Sequence, residues 1–242
     1  MKYGIFSDVH SNLEALTAVL SFFKKEGVEQ ALCLGDIVGY GANPKECIAQ
    51  IRSLDAVVIA GNHDWACVDR MKMDYFNMYA REAILWTQKQ LSEEEKAFLK
   101  NLKSSYQTEL LTLVHGSLDF PEEFRYIFDT ESATRTLELS KTPVCFVGHS
   151  HLPMIFSLGQ DGYVRPSRSA KVKLQEGVRV LVNDGSVGQP RDGDPRAACA
   201  LFDTDEQTVE IQRLAYDIRL TQQKILQAGL PPILASRLSE GQ

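Results

Sequence analysis

Cysteine is scarce and unpatterned in this chain. Five occur in 242 residues, at Cys33, Cys47, Cys67, Cys145 and Cys199. The odd number and the absence of Cys-x-x-Cys spacing argue against a disulfide framework or a thiolate zinc site. They are expected to be reduced thiols, mostly packed as small buried hydrophobes. No apolar run is long enough to span a bilayer. Positive charge is not in excess either: the formal net charge is −6, which removes the broad basic surface that a nucleic-acid backbone requires. The opening Met1-Lys2-Tyr3-Gly4-Ile5-Phe6 enters a strand-like run without a signal peptide's charged and apolar regions, so a cytoplasmic protein is expected. Repeats, low-complexity stretches and long linkers are missing. One domain over residues 1–242 is the simplest division.

Histidine is also sparse, and its placement is informative. The elements around it come first. Lys2 to Ser7 reads as a buried strand, followed by a helix from Leu13 to Lys25 that Ser11 or Asn12 caps and Gly27 stops. Ala31 to Leu34 and Ala56 to Ala60 read as further strands, separated by a short helix from Pro44 to Arg52. Strand, helix, strand, helix, strand in sixty residues predicts an α/β fold with parallel strands.

From about residue 65 to 105 the pattern turns helical, with Ser92-Glu93-Glu94-Glu95 as a capping box. This is expected to be a small cap over the site, its Trp65, Met71, Met73, Met78 and Trp86 serving as packing residues. Strands return at Leu110 to Val114 and Val144 to Val147, around a helix from Glu131 to Leu139. Short strands then follow near Met154 to Ser157, Val178 to Val182, Cys199 to Phe202 and Val209 to Arg213, separated by turn clusters. This half predicts antiparallel or mixed sheet. An amphipathic helix from Asp217 to Ala228 follows, stopped by Gly229 and Pro231.

Each buried strand ends in a polar cluster: Asp8-x-His10, Gly35-Asp36, Gly61-Asn62-His63-Asp64, His115-Gly116 and Gly148-His149-Ser150-His151. All five histidines of the chain lie in these clusters. One of them alone would read as a satisfied structural imidazole. Five together, each beside the carboxyl end of a strand, read as ligands converging on metal. Extended backbone would aim Asp8 and His10 at one point.

This ordered set resembles the motifs of the calcineurin-like metallophosphoesterase superfamily. Gly35-Asp36-Ile37-Val38-Gly39-Tyr40-Gly41 and Gly185-Ser186-Val187-Gly188-Gln189-Pro190-Arg191 look like a bacterial branch of small phosphodiesterases and diadenosine tetraphosphatase-like proteins. The resemblance implies a four-layer α/β/β/α sandwich of two mixed sheets with the helical cap. It implies two divalent cations. Asp8, His10 and His151 would hold the first, and Asn62, His115 and His149 the second, with Asp36 between them. Mixed N/O ligands suit manganese, iron, zinc, cobalt or nickel. The implied reaction is attack on phosphorus by a hydroxide held between the metals, with His63 protonating the leaving oxygen. Asp64 either orients His63 or caps a helix.

Phosphoprotein phosphatases of this superfamily carry an Asp-Arg pair after the bridging Asp. Gly39 and Tyr40 stand there instead, so the arginine clamp on a monoester dianion is missing. The expected activity is therefore hydrolysis of phosphodiesters or nucleotide phosphoanhydrides. The alternatives are a phosphomonoesterase or phosphoprotein phosphatase, a mononuclear hydrolase, and a catalytically silent metal-binding regulator. Arg191 is the candidate to supply phosphate contacts, unless it or Arg196 merely pairs with Asp192 or Asp194. Tyr40 and Asn43 are weaker substrate candidates. Asp184 adds a charge with no assigned purpose. The expected partner is a small phosphorylated substrate such as a nucleotide. The pattern allows a homo-oligomer without requiring one.

Overall fold

The computed structural model of the chain describes residues 1–167 and 169–242. In chain order its elements are β1 (Lys2–Phe6), α1 (Leu13–Lys25), β2 (Gln30–Cys33), α2 (Pro44–Ser53), β3 (Val57–Val58), α3 (Asn62–Ala66), α4 (Met78–Gln90) and α5 (Glu93–Asn101). Then come β4 (Ser105–Gln107), β5 (Leu111–Val114), α6 (Thr130–Leu139), β6 (Val144–Val147), β7 (Met154–Leu158), β8 (Val164–Pro166) and β9 (Lys171–Lys173). The chain closes with β10 (Arg179–Asn183), β11 (Ala197–Asp203), β12 (Thr208–Leu214), α7 (Ile218–Gln227) and α8 (Pro232–Ser236).

The strands form two mixed sheets of six, ordered β3-β2-β1-β11-β12-β9 and β4-β5-β6-β10-β7-β8. One core layer lies between them, where Ile5, Leu32 and Phe202 of the first sheet meet Leu113, Phe146 and Val182 of the second. The Phe146 and Phe202 ring centroids are 5.9 Å apart. Outside the first sheet, α1 and α2 bury Leu16, Val19, Ile48 and Ile51 against Phe6 and Cys33. Outside the second, α6 buries Ala133 and Leu137 against Cys145 and Leu181. Each sheet is therefore apolar on both faces, which is why its strands read as near-continuous hydrophobic runs. The result is the expected four-layer α/β/β/α sandwich.

Local chemistry sets the element ends. Asn12 caps α1, its Oδ1 accepting from Ala15 N at 3.1 Å, and Gly27 leaves the helix at φ 68°. Ser92 and Glu95 form the expected reciprocal box on α5. Three strands were not legible: β4, β8 and β9 are three residues each and largely exposed. Short polar edge strands carry little periodicity. The strand expected over residues 56–60 shrinks to Val57–Val58, with a single further bridge from Ile59 to Lys103.

The helical excursion divides in two. Its first part, around residues 71–80, lines the cleft at the strand ends. Its second, α5, packs away from the cleft, with Leu99 in the core under the first sheet. Trp65, Met71, Met73 and Trp86 pack as expected. Met78 does not: its side chain is 69% exposed, because it sits at the start of α4 on the face away from Ala80, Ala83 and Ile84. That inner face meets α7 and α8 through Ile225, Leu234 and Leu238, which ties the excursion to the C-terminal helices. Among the described residues no helix is long and apolar enough to cross a membrane.

Candidate metal centre

The five strand-end clusters meet at one point beyond the carboxyl ends of β1, β2, β3, β5 and β6. Asp8, His10, Asp36, Asn62, His63, His115, His149 and His151 are all buried. Asp8 and His10 converge, but not through extended backbone. Both lie in the left-handed region, at φ 53° and 48°. Asp36, His149 and His151 do too, at 51°, 66° and 60°. Such φ values are uncommon for residues other than glycine and cost of order 1–3 kcal/mol each. Hydrogen bonds between the loops hold them there. Asp8 N donates to Gly35 O at 3.0 Å and His10 N to Asp36 O at 2.9 Å. His149 N donates to Asp8 Oδ2 at 3.0 Å, and His63 N to Asp36 Oδ1 at 2.8 Å. Gly61 is required: a Cβ there would lie 2.0 Å from Asp36 Oδ1.

Backbone carbonyls fix three of the imidazoles. His10 Nδ1 meets Val38 O at 3.1 Å, His115 Nδ1 meets Leu34 O at 2.7 Å, and His151 Nδ1 meets Gln189 O at 2.5 Å. A carbonyl only accepts, so each Nδ1 carries a hydrogen, and each Nε2 offers its lone pair to the centre when its ring is neutral. His10 Nε2 and His151 Nε2 then stand 3.1 Å apart. Two lone pairs facing each other at that distance repel unless a proton or a cation lies between them.

The donor atoms fall into three overlapping groups, Asp8 with His10 and His151, Asp36 with His115 and His149, and Asp36 with His10 and His63, each within 4.8 Å. Asp36 Oδ2 lies 3.4 Å from His115 Nε2 and 3.6 Å from His10 Nε2. Asp8 Oδ1, Asn62 Oδ1 and His115 Nε2 are buried with no hydrogen-bond partner. Orphaned buried polar atoms are costly, and a divalent cation would satisfy these, displacing any proton on His115. The oxygen and imidazole donors therefore fit such a cation.

The electrostatics agree. Burial alone would raise the Asp8 and Asp36 carboxyls. His151 and His115 outweigh it at Asp8, and His115 and His63 at Asp36, so both are held below the usual carboxylate range. Burial opposes charge on His115, but Asp36 and Asp8 win and raise it to about 9. Burial keeps His10 and His149 neutral, well below the ordinary imidazole value. The site holds two carboxylates and, without a cation, one proton on His115.

His63 sits at the cleft floor, its backbone N on Asp36 Oδ1 but its ring fixed by no carbonyl. Its ring is boxed by Tyr40, His10 and Phe76, with centroids at 4.5, 4.8 and 5.0 Å. Its Nδ1 is buried without a partner. A Cβ on Gly39, which adopts φ +99°, would lie 2.5 Å from that atom. Burial lowers His63 to about 4. Asp64 does not orient it. Asp64 Oδ1 accepts from Ile37 N and Val38 N, and Oδ2 from Gly61 N. It stitches the Asp36 loop to the start of α3, the capping alternative.

The cleft over the cluster has a volume of about 390 Å³, within the range of small-ligand sites. Asn62, His63 and His149 form its floor, and Tyr40 and Arg191 are in its wall. Asn43 is not among its lining residues and stands at the start of α2. Arg196 pairs with Asp194 at 2.6 Å, and Asp192 pairs with Arg213. The loop-holding role thus falls to Arg196, and Arg191 is left to the cleft. Sequence reasoning missed Tyr126 and Arg237. Tyr126 stacks on His149 with centroids 3.8 Å apart, but it lies in an irregular loop with no pattern. Arg237 follows α8, where the only signal was a charge in an apolar turn.

Histidines and carboxylates gathered at the strand ends of a double sheet define the class, a metallophosphoesterase-type sandwich. The calcineurin-like phosphoesterase superfamily domain matches residues 1–207, and the chain belongs to that superfamily. It is 39% identical to the uncharacterized protein MJ0912 of Methanocaldococcus jannaschii over 98% of this chain and 97% of that one. The metallophosphoesterase from Sphaerobacter thermophilus superposes with TM-score 0.87 at 40% identity, covering 100% of this chain and 99% of that one. The hypothetical protein PH1004 from Pyrococcus horikoshii shares the fold, with TM-score 0.79 at 20% identity over 100% and 98% of the two chains.

Proposed function

We propose that the chain is a phosphoric ester hydrolase dependent on two divalent cations and acting on diesters or nucleotide phosphoanhydrides. The observation that carries the reading is the His10–His151 contact, two acceptor nitrogens held 3.1 Å apart by their own hydrogen bonds. In this reading Asp8, His10 and His151 would hold one cation and Asn62, His115 and His149 the other, with Asp36 shared between them. Bound there, two dications would supply Lewis acidity toward a phosphoryl oxygen and a water acidic enough to attack near neutral pH. The chain's own residues do the rest. Asp8 and Asp36 return only two negative charges, so the loaded site stays positive in an acidic protein and favours a phosphate ester. Arg191 and the Tyr40 hydroxyl face the ester from the wall. His63, kept neutral by burial when no ester is bound, would take up a proton beside the anionic ester and pass it to the leaving oxygen through Nε2, the ring nitrogen not shut in against Gly39.

Gly39 and Tyr40 support the diester preference. With Gly39 packed on His63, no arginine clamp can enter from that loop. The test is hydrolysis by metal-stripped protein with manganese restored, comparing bis(4-nitrophenyl) phosphate with 4-nitrophenyl phosphate. Metal-dependent turnover favouring the diester supports the reading. Preference for the monoester would replace it with a phosphomonoesterase. No turnover of either, with metal demonstrably bound, would point to the silent regulator.

A further inference from the structure

Two arginines in the cleft lack the carboxylate partner that several other arginines of the chain have. Arg125 pairs with Asp119 and Glu123, Arg165 with Asp161, Arg196 with Asp194 and Arg213 with Asp192. Neither Arg191 nor Arg237 has a side-chain carboxylate partner among the described residues, and Arg237 is engaged only through Nε, by the main-chain oxygen of Gln242. Both line the cleft beside His63.

Arg191 Nη2 donates to Gln189 Oε1 at 3.0 Å and lies 3.4 Å from the Tyr40 hydroxyl, while its Nε is buried without a partner. Its backbone N donates to His151 O at 3.3 Å, so the loop carrying it is tied to the metal cluster. Arg237 enters from the C-terminal helices, held by Nε donating to the Gln242 carbonyl. The two guanidiniums feel each other: burial, then Arg191, lowers Arg237 from its ordinary value. The one carboxylate in the cleft lining, Glu123, is engaged by Arg125 at 2.7 Å.

Arg191 Nε is buried without a partner, and the two terminal nitrogens of Arg237 have none among the described residues, so an anion at this wall would satisfy groups that nothing else does. The scissile phosphoryl of a diester carries one negative charge, which the metal cluster already matches. The arginine pair is in excess of that need. We propose that Arg191 and Arg237, with the Tyr40 and Tyr126 hydroxyls at the same wall, form a second anion subsite that binds a phosphate adjoining the scissile one. The substrate class is then a diphosphate diester or longer phosphoanhydride rather than a simple monophosphate diester. This rests on the hydrolase reading above. It adds a specificity residue, Arg237, from the far end of the chain. Planar guanidiniums suit a bidentate grip on such oxygens.

The test uses the manganese-loaded full chain and two substrates with the same aryl groups, bis(4-nitrophenyl) phosphate and P1,P2-bis(4-nitrophenyl) diphosphate. R237Q removes the charge but keeps a donor for the Gln242 carbonyl. It should lower kcat/KM on the diphosphate about tenfold more than on the monophosphate diester, mainly through KM. Equal losses on both substrates, or no loss on either, overturn the subsite. Thermal unfolding of R237Q separates tail-holding from anion binding, because a merely structural Arg237 would lower Tm without changing the substrate ratio. If the wild type turns over neither ester, the hydrolase reading fails by itself. The subsite is then read by calorimetry with the bis(4-nitrophenyl) ester of methylenediphosphonate. About tenfold weaker binding by R237Q sustains the subsite, and unchanged binding overturns it.

Discussion

His10 Nε2 faces His151 Nε2 across 3.1 Å while both Nδ1 atoms are spent on backbone carbonyls. Neither ring can turn away without abandoning its carbonyl, so the fold holds a repulsive pair that a cation would relieve. Metal should therefore stabilise the protein by mass action, about 2.7 kcal/mol at a hundredfold excess over Kd. His115, raised to about 9 by Asp36 and Asp8, must lose its proton to bind. At pH 7 roughly one proton should be released per chain loaded, and affinity should climb with pH until about 9 and then level. Calorimetry in buffers of different ionisation enthalpy reads the proton count. Zero release at pH 7 would contradict the ligand role of His115.

His63 and Gly39 make a second prediction. The ring has no carboxylate behind Nδ1 and is placed by Tyr40, His10 and Phe76 alone. His63→Ala should retain metal. It should cost about 10²–10⁴ in rate on an ester with an alkyl leaving group and far less on one with a nitrophenyl group, which needs no acid. Equal losses on both would remove His63 from the proton transfer. Gly39→Ala should act on the same ring from behind. At φ +99° and 2.5 Å from Nδ1, the added methyl should lower stability by about 1–3 kcal/mol and displace His63. Urea unfolding and the same pair of esters measure both effects.

The five thiols are all buried. Burial pushes Cys145 up to about 12 and raises Cys33, Cys47, Cys67 and Cys199 as well. The native chain should resist iodoacetamide at pH 8 and take up five equivalents only when unfolded. The linkage has one sign. The folded state keeps protons that the unfolded thiols lose near pH 9. Stability should therefore fall as pH rises from about 9 toward 12. Rapid alkylation of the native protein would show that one of these thiols is not enclosed.

Much of this site was legible because its residues obey a pattern: five strands ending in Asp, Asn or His, four of them beside Gly. The apolar runs announced an α/β fold with buried strands, and the four-layer sandwich was what the resemblance implied. What was illegible has physical reasons. The left-handed backbone at Asp8 and His10 is imposed by hydrogen bonds from β2's loop, so no local rule announces it. Asp64 looked equally able to orient His63 or cap a helix. The amides of Ile37 and Val38, far from it in sequence, decide between the two. Arg237 reaches the cleft because α7 and α8 fold back onto α4, and Tyr126 because the irregular loop before α6 lays its ring on His149; neither contact has a periodicity of its own.

Asp184, whose charge had no purpose in the sequence, is fully buried behind Asp8. Its Oδ1 lies 3.0 Å from Ser7 Oγ, which also lies 2.6 Å from Asp8 Oδ2. One hydroxyl hydrogen cannot serve both carboxylates. Burial, then Asp8, pushes the Asp184 carboxyl well above its ordinary range, so it favours the protonated form. A protonated Asp184 gives its hydrogen to Ser7 Oγ, and Ser7 gives its own to Asp8 Oδ2. The charge belongs to Asp8 alone, where a cation can use it. Asp184→Asn, neutral and able to donate to Ser7, should therefore keep stability within about 1 kcal/mol and keep metal affinity. Ser7→Ala should weaken metal binding by removing the donor that steadies Asp8, an effect of roughly 10–100-fold for such an outer partner. Calorimetric metal titration of both variants checks this. If Asp184→Asn lost metal affinity as severely as Ser7→Ala, Asp184 would have to be ionised in the native protein, and the assignment of its proton would be wrong.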